Sequence, residues 1–236
     1  METKNTPTAD FSEADTVYIL DSYGLIYRAY FALINHPLTN ISGQNISAVV
    51  IFFRNLKALL SKYKPSFLAA AFDSRTPTFR HEMYSEYKAT RQKTPEDLHA
   101  QVPWIEEILN SLGVPVLRAD GFEADDIIAS VAEKCRKEKR PCRILSGDKD
   151  LLQLVDAHCK EMQPDKANGG WLTDGTEEVI QKWGLGPEKI LDYLSLTGDS
   201  ADNVPGVKGV GDKTALKLLS QYQTLDGIYA HADVIK

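Results

Sequence analysis

The 236-residue chain reads as an α/β protein, a mostly parallel sheet flanked by helices, on three observations. Four β-rich runs, "TVYIL" at 16–20, "SFLAAAF" at 66–72, "VPVL" at 114–117 and "CRILS" at 142–146, alternate with stretches of helical apolar period at about 47–62, 96–112 and 123–139. Strands separated by helices need crossover connections, so neighbours run parallel and both faces of the sheet are covered. Each run is followed within about eight residues by acidic side chains, and in such a sheet those ends share the edge where ligands bind.

Taken in order, "TVYIL" ends at Asp21 and leads into "SYGLIYRAYFAL", whose apolar spacing suits a helix. The second run ends at Asp73. The third passes through "RADGF" into "EADDIIAS", with Glu123, Asp125 and Asp126, and the fourth into "GDKDLLQLV", with Asp148 and Asp150. From about 186 the character changes: "GPEKILDYLSLTG" is a helix with Pro187 at its start, "DSADNVPGVKGVG" a turn-rich loop, and "DKTALKLLSQY" a helix opened by Asp212. The expected organisation is a disordered tail over 1–14, an α/β core over 15–185 and a second, helical unit over 186–236.

A hydrophobic content of 43% allows a sizeable core. The apolar runs, such as "AVVIFF" at 48–53, are far shorter than a membrane span, and "METKNTPTADFSEAD" contains no signal-peptide core. A cytoplasmic monomer without membrane contact is expected. Cys135, Cys142 and Cys159 have neither metal-ligand spacing nor an even count, so they are expected as thiols in a reducing compartment.

Asp21, Asp73, Glu123, Asp125, Asp126, Asp148 and Asp150, with Asp199 and Asp202 from "GDSADN", make nine acids that the topology directs to one cleft. One aspartate after a strand is an ordinary turn former or cap; nine together repel, and a divalent cation resolves the conflict. With no Cys or His among them, hard oxygen ligands point to Mg²⁺ or Mn²⁺, and nine exceed what one hydrated octahedral ion uses, so two ions are expected. At 100° per residue Ala124, Ile127, Ile128 and Val131 face inward, Glu123 and Asp125 border that face and Asp126 points away. Either the opening turn of that helix distorts, or Asp126 acts through water or as a cap.

The net charge of −6 argues against a polyanionic partner until its distribution is read. Between Arg54 and Lys93 nine basic residues stand against three acidic ones, and setting the nine site acids aside leaves −6 + 9 = +3. "SRTPTFRHEMYSEYKATRQK" interleaves Arg75, Arg80, Lys88, Arg91 and Lys93 with Phe79, Tyr84 and Tyr87, a mixture suited to phosphates and unpaired bases. If "FRHEMYSEYKATR" is helical, Arg80, Tyr84, Tyr87, Lys88 and Arg91 fall on one stripe. "EKCRKEKRPCR" at 133–143 is a solvated face. In "NVPGVKGVGDKTALKLL" the glycines permit close backbone approach, the following helix start offers N–H groups to a phosphate, and Lys208, Lys213 and Lys217 add charge. No GKS or GKT P-loop or GxSxG elbow exists, "GVKGVG" follows a helix instead of a strand, and the five histidines are scattered.

The strings "LDSYGLIYRAYFAL", "AFDSRTPTFRHEMYSEYKATR", "GFEADDIIAS", "LSGDKDLLQLV" and "LTGDSADNVPGVKGVGDKTA", in this order over about 16–220, closely resemble the 5′ nuclease domain of bacterial DNA polymerase I, in the flap endonuclease superfamily. The resemblance implies a PIN-like/5′ nuclease core with a helical arch over 75–100 and a helix-three-turn-helix duplex clamp over 190–220. It implies that Asp21, Asp73, Glu123, Asp125 and Asp126 surround one Mg²⁺ or Mn²⁺, and that Asp148, Asp150, Asp199 and Asp202 hold a second; in some members the clamp also holds K⁺. Lys88 and Arg91 match the basic pair of the arch through which a single-stranded 5′ end passes, and with Asp21, Asp73, Glu123 and Asp148 they are the expected catalytic set. Arg28, Arg80, Tyr87, Lys88, Arg91, Gly206, Lys208, Gly209, Gly211, Lys213 and Thr214 are the expected DNA contacts. The implied activity is 5′-3′ exonuclease and flap endonuclease cleavage at single-strand/duplex junctions, in RNA-primer removal and repair. A noncatalytic branched-DNA binding module and a related metal-dependent ribonuclease are the alternatives; the nine acids speak against the first and the clamp segment against the second. The chain stops at Lys236 without a polymerase portion, so a fragment of a polymerase and a stand-alone nuclease both stay open.

Overall fold

The computed structural model describes residues 11–165, 167 and 169–235. Residues 1–10 of the expected tail lie outside the described residues. The remainder of that tail is structured: Glu13–Asp15 form a 3-10 turn, Arg143 pairs with Glu13 at 2.9 Å, and the Arg140 guanidinium lies over the Phe11 ring.

From there the chain builds a six-stranded sheet. In order come β1 (Val17–Asp21), α1 (Ser22–Phe31), α2 (Ser47–Tyr63), β2 (Phe67–Ala71), α3 (Phe79–Met83), α4 (Glu96–His99), α5 (Val102–Ser111), β3 (Val116–Leu117), α6 (Ala124–Glu138) and β4 (Cys142–Leu145). A 3-10 turn (Lys149–Leu154), β5 (Cys159–Pro164), β6 (Trp171–Asp174) and α7 (Thr176–Trp183) follow. The sheet order is β3-β2-β1-β4-β5-β6; the first five are parallel and β6 is antiparallel to β5. Alternation along β1 divides the core. Leu20 packs on the side of α1, α2 and α5 with Ile26, Phe52, Leu59 and Ile105, and Ile19 on the side of α6 with Ile128, Ala132 and Ile144. Each fully buried aliphatic side chain contributes roughly 1.5–3 kcal/mol.

The C-terminal part has α8 (Ile190–Thr197), the short pair β7 (Gly198–Asp199) and β8 (Val204–Pro205), α9 (Asp212–Tyr222) and α10 (Leu225–Ala230). Ile190, Leu196, Ala215 and Leu219 bury against Leu152 and Val155 of the core. Gly206 is required where β8 meets α8: a Cβ there would stand 2.3 Å from the Thr197 carbonyl carbon.

Three expectations are corrected, and two strands come without one. The 96–112 helix is two helices, because Gln101 turns inward to cap α2, accepting from the Ala48 and Val49 N–H groups at 3.0 and 3.3 Å, and Pro103 can only begin a new helix. "FRHEMYSEYKATR" is not one helix: α3 ends at Met83, Tyr84 is extended, and Lys88 has φ +57. The stripe of basic and aromatic residues therefore exists as a strap of turns, tied by Lys88 N–H to the Asp202 carbonyl at 2.9 Å and Asn203 Nδ2 to the Glu86 carbonyl at 2.7 Å. "GVKGVG" follows β8, a strand of two residues, which pairs with β7 and not in a βαβ unit. Finally, β5 and β6 had no signal in the sequence, since Glu161 stands at a buried strand position where an apolar residue would have shown the alternation.

Candidate active site

The carboxyl ends of β1, β2 and β4 and the start of α6 bring the acids to one cleft. Asp21 ends β1 and caps α1, accepting from Gly24 N–H at 3.1 Å, and Ser146 Oγ donates to it at 2.6 Å. Burial, against these hydrogen bonds, raises its carboxyl to about 6. Asp73 follows β2; its Oδ1 accepts from Ala124 N–H at 2.8 Å and its carbonyl from Arg118 Nε at 3.0 Å. Glu123, the buried N-cap residue of α6, accepts from Tyr87 Oη at 2.9 Å and Lys88 Nζ at 2.8 Å. Asp125 is pushed furthest, to about 8, by burial and then by Asp21, Asp148 and Asp73. Asp148 caps the following 3-10 turn, and its N–H donates to Ser146 Oγ at 3.0 Å. One buried hydroxyl thus ties Asp148 to Asp21.

A second group comes from the 3-10 turn and the β7–β8 loop. Carboxylate oxygens of Asp150, Asp199 and Asp202 lie within 4.8 Å of one another. Burial and Asp148 raise the Asp150 carboxyl to about 6, and its Oδ1 is buried without a hydrogen-bond partner. Lys149 donates to Asp199 at 3.0 Å; although burial opposes it, this contact helps hold Asp199 below the usual carboxylate range. The two groups open into adjoining cavities of about 580 and 450 Å³, and Glu123 and Asp125 line both. An oxygen-only donor set with carboxyls held this high by burial and then by mutual repulsion fits hard divalent cations.

The grouping differs from the one the resemblance implied in two places. Asp148 lines the cavity of Asp21, Asp73 and Asp125, and not that of Asp150, Asp199 and Asp202, because Ser146 binds it to Asp21. Asp126 lines the cavity of Asp150, Asp199 and Asp202, but its oxygens are engaged: Oδ2 accepts from Glu123 N–H at 2.9 Å, capping α6, and Arg80 holds both oxygens at 2.8 Å. Burial works against this, but Arg80 and the Glu123 N–H keep its carboxyl below the usual range. Of the sequence alternatives, Asp126 is the cap.

The basic residues turn toward the acids. Arg91 pairs with Asp202 at 3.1 Å, and Lys88 lies 3.7 Å from Asp202 besides its bond to Glu123. Tyr87, expected as a DNA contact, is buried, its hydroxyl between Glu123 and Asp202 at 2.9 Å from each. Arg28, also expected as a DNA contact, is half-buried; it donates to Gln163 Oε1 at 2.9 Å and its Nη1 packs where a Cβ on Gly147 would stand at 3.0 Å. Lys208, Gly209, Gly211, Lys213 and Thr214 are exposed around the start of α9, with Gly206 half-buried beneath. Sequence reasoning missed Ser146, Arg118 and Lys149, none of which is acidic; Ser146 and Lys149 were visible only as neighbours of Asp148 in "SGDKD". The three cysteines are free and buried, and among the described residues no helix is long and apolar enough to cross a membrane.

The family description "5'-3' exonuclease, N-terminal resolvase-like domain" matches residues 16–184, and "5'-3' exonuclease, C-terminal SAM fold" matches 185–236. A protein named 5'-3' exonuclease from Aquifex aeolicus is 43% identical over 90% of this chain and 72% of its own length. DNA polymerase I of Treponema pallidum is 51% identical over 95% of this chain, and that of Borreliella burgdorferi 40% identical over 93%. This chain spans 22% and 24% of those two relatives' lengths. Among solved structures, zinc-bound T5 5'-exonuclease has the same fold with TM-score 0.74 at 19% identity, covering 92% of this chain and 79% of that one. Flap endonuclease-1 of Methanococcus jannaschii has TM-score 0.57 at 17% identity, covering 92% and 74%.

Proposed function

This chain belongs to the 5′-3′ exonuclease family, a family of nucleases, and on that premise we propose that it hydrolyses DNA phosphodiesters at single-strand/duplex junctions, as a 5′-3′ exonuclease and flap endonuclease using two divalent ions. The observation that carries the reading is the pair of adjoining carboxylate groups at the strand ends, with Lys88 and Arg91 reaching into them. Asp21, Asp73, Asp125 and Asp148, with Glu123, would hold one Mg²⁺ or Mn²⁺, and Asp150, Asp199 and Asp202 the other; the ions would supply charge neutralisation and Lewis-acid activation for attack of water on phosphorus.

The chain's own residues do the rest. Ser146 fixes Asp21 against Asp148, and Arg118 and the Ala124 N–H hold Asp73 from both ends, so the carboxylates are set before substrate arrives. Lys88 and Arg91 offer donors to the oxygens of an entering phosphate, where charge develops during displacement. Lys208, Lys213 and the exposed N-terminal turn of α9 suit duplex backbone without reading sequence; a K⁺ in that unit is part of the proposal. A 5′-flapped DNA, an RNA primer end and a polymerase portion of a longer chain are the proposed partners, in the cytoplasm. The intact acid set favours catalysis over branched-DNA binding alone. The test is Mg²⁺-dependent cleavage of a 5′-flap substrate by the wild type, reduced at least about 100-fold by Asp148→Ala, with no product in excess EDTA. Equal cleavage in EDTA overturns the reading.

A further inference from the structure

Next to the carboxylate cleft stands an apolar surface that the proposed chemistry leaves unused. Phe79 and Phe122 are 38% and 47% exposed, and Met83, one turn along α3 from Phe79, is 80% exposed. The two rings are 5.7 Å apart, although 43 positions separate them in sequence. Both are held on a frame: Phe79 N–H donates to the Gly121 carbonyl at 3.1 Å, Ser74 N–H to the Phe122 carbonyl at 3.2 Å, and Gly121 N–H to Ser74 Oγ at 3.2 Å. Apolar groups exposed singly are ordinary, but two adjoining rings with a methionine on the short helix that carries Phe79 make a contiguous patch of the kind that marks a contact surface.

Charge and position say what the surface contacts. The Arg80 guanidinium lies 4.6 Å from the Phe79 ring centre and the same side chain lines the cavity with Glu123 and Asp125, so the patch continues directly into the site. Arg75, the residue after the Ser74 that anchors this frame, has a side chain 74% exposed and pairs with Glu106 at 3.3 Å. Aromatic faces alternating with guanidinium groups suit stacked bases joined by phosphates, and suit a purely apolar protein partner poorly.

We propose that Phe79 and Phe122 form a platform on which unpaired bases of the substrate's single-stranded 5′ tail stack, with the exposed Arg75 offered to their phosphates and Arg80 fixed against the Phe79 ring by its pair with Asp126. Tyr87, in the same sequence stretch, is excluded from this role by its burial, and Phe122, from the acidic motif, takes it. The proposal rests on the reading of the chain as a junction-specific nuclease and adds the residues that grip the tail.

The test uses the full chain with a hairpin duplex carrying a 5′ single-stranded tail with 2-aminopurine in it, in Ca²⁺, with the strand checked intact afterwards. Wild type quenches the fluorophore and binds tailed over tail-less hairpin. Phe79→Ala with Phe122→Ala abolishes the quench and weakens tailed binding about tenfold, the loss of stacking on one base, while tail-less hairpin binds as before; Phe122→Trp retains both effects. An unchanged quench and tail preference in the double variant overturns the platform, as does a concentration-dependent dimer in sedimentation that the double variant abolishes. Loss of flap cleavage by the wild type with the tail effect intact would remove the nuclease reading and leave the platform standing.

Discussion

Stripped of divalent ions, the protein becomes less stable as pH rises from 5 to 8, the reverse of a protein whose carboxylates are salt-bridged. Glu161, outside the cleft, acts in this direction too, and within the cleft the cause is Asp125. Its carboxyl titrates near 8 in the folded chain against 3.8 for the free group, so between those values the folded state holds a proton that the unfolded state has released. Stability therefore falls with increasing pH across that window. At about 1.4 kcal/mol per pH unit the loss between pH 5 and 8 is about 4 kcal/mol. Asp21 and Asp150, raised to about 6, act in the same sense, but Asp21 repels Asp125 directly, so the contributions overlap and do not add. Asp126 and Asp199, held low by Arg80 and Lys149, act oppositely, with their window below pH 4. For a chain of this size roughly 2–4 °C accompanies each kcal/mol, so Tm in EDTA drops by about 10 °C. Saturating Mg²⁺ at about 100 times its Kd returns about 2.7 kcal/mol at pH 8 and less at pH 5, where protons compete for the same oxygens. Thermal melts by circular dichroism at pH 5, 6.5 and 8, each in EDTA and in Mg²⁺, read this out. A Tm in EDTA that is flat or rises with pH, or a Mg²⁺ increment equal at all three, refutes the reasoning.

Further predictions concern separate parts of the molecule. Lys88→Ala lowers kcat on a flap substrate by about 10²–10³-fold, the size of losing one donor to developing charge, as measured in single-turnover assays at saturating Mg²⁺. Ser146→Ala removes the hydroxyl shared by Asp21 and Asp148; it costs about 2 kcal/mol in urea unfolding and raises the Mg²⁺ concentration needed for half-maximal rate. Glu161, whose buried carboxyl is raised to about 8 by burial and then by Asp174, lies outside both carboxylate groups, so Glu161→Gln flattens the pH dependence of Tm even in saturating Mg²⁺. Gly206→Ala drives a methyl into the Thr197 backbone and weakens duplex binding in a filter assay, with tail-stacking fluorescence retained. The three buried cysteines stay unreactive to an aromatic disulfide reagent in the native protein, and all three react in denaturant.

How much of this was legible in the sequence depends on how local the signal is. The strands leading to Asp21 and Asp73 and the helices over 47–63 and 124–138 follow from apolar period and short connections, and the convergence of the acids follows from parallel topology. Asp126 was the one acid whose direction helical geometry could question, and it caps α6. What the sequence hid are contacts set by distant partners. The strap at 84–91 follows helical spacing on paper, but Tyr87, Lys88 and Arg91 gain more from Glu123 and Asp202 than from a continued helix. β5 was concealed by Glu161 at a buried position. Ser146 and Arg118 matter through hydroxyl and guanidinium contacts to Asp21 and to the Asp73 carbonyl, which no spacing rule reports.

The most direct test of the central claim, that two groups of carboxylates at the strand ends work as one metal-dependent nuclease site, is cleavage of a single 5′-flap DNA by the purified chain across a Mg²⁺ titration. Cleavage near the junction that rises with Mg²⁺, vanishes in EDTA and falls at least about 100-fold in both Asp148→Ala and Asp199→Ala is the predicted result. Undiminished cleavage by either variant, or product in excess EDTA, contradicts it.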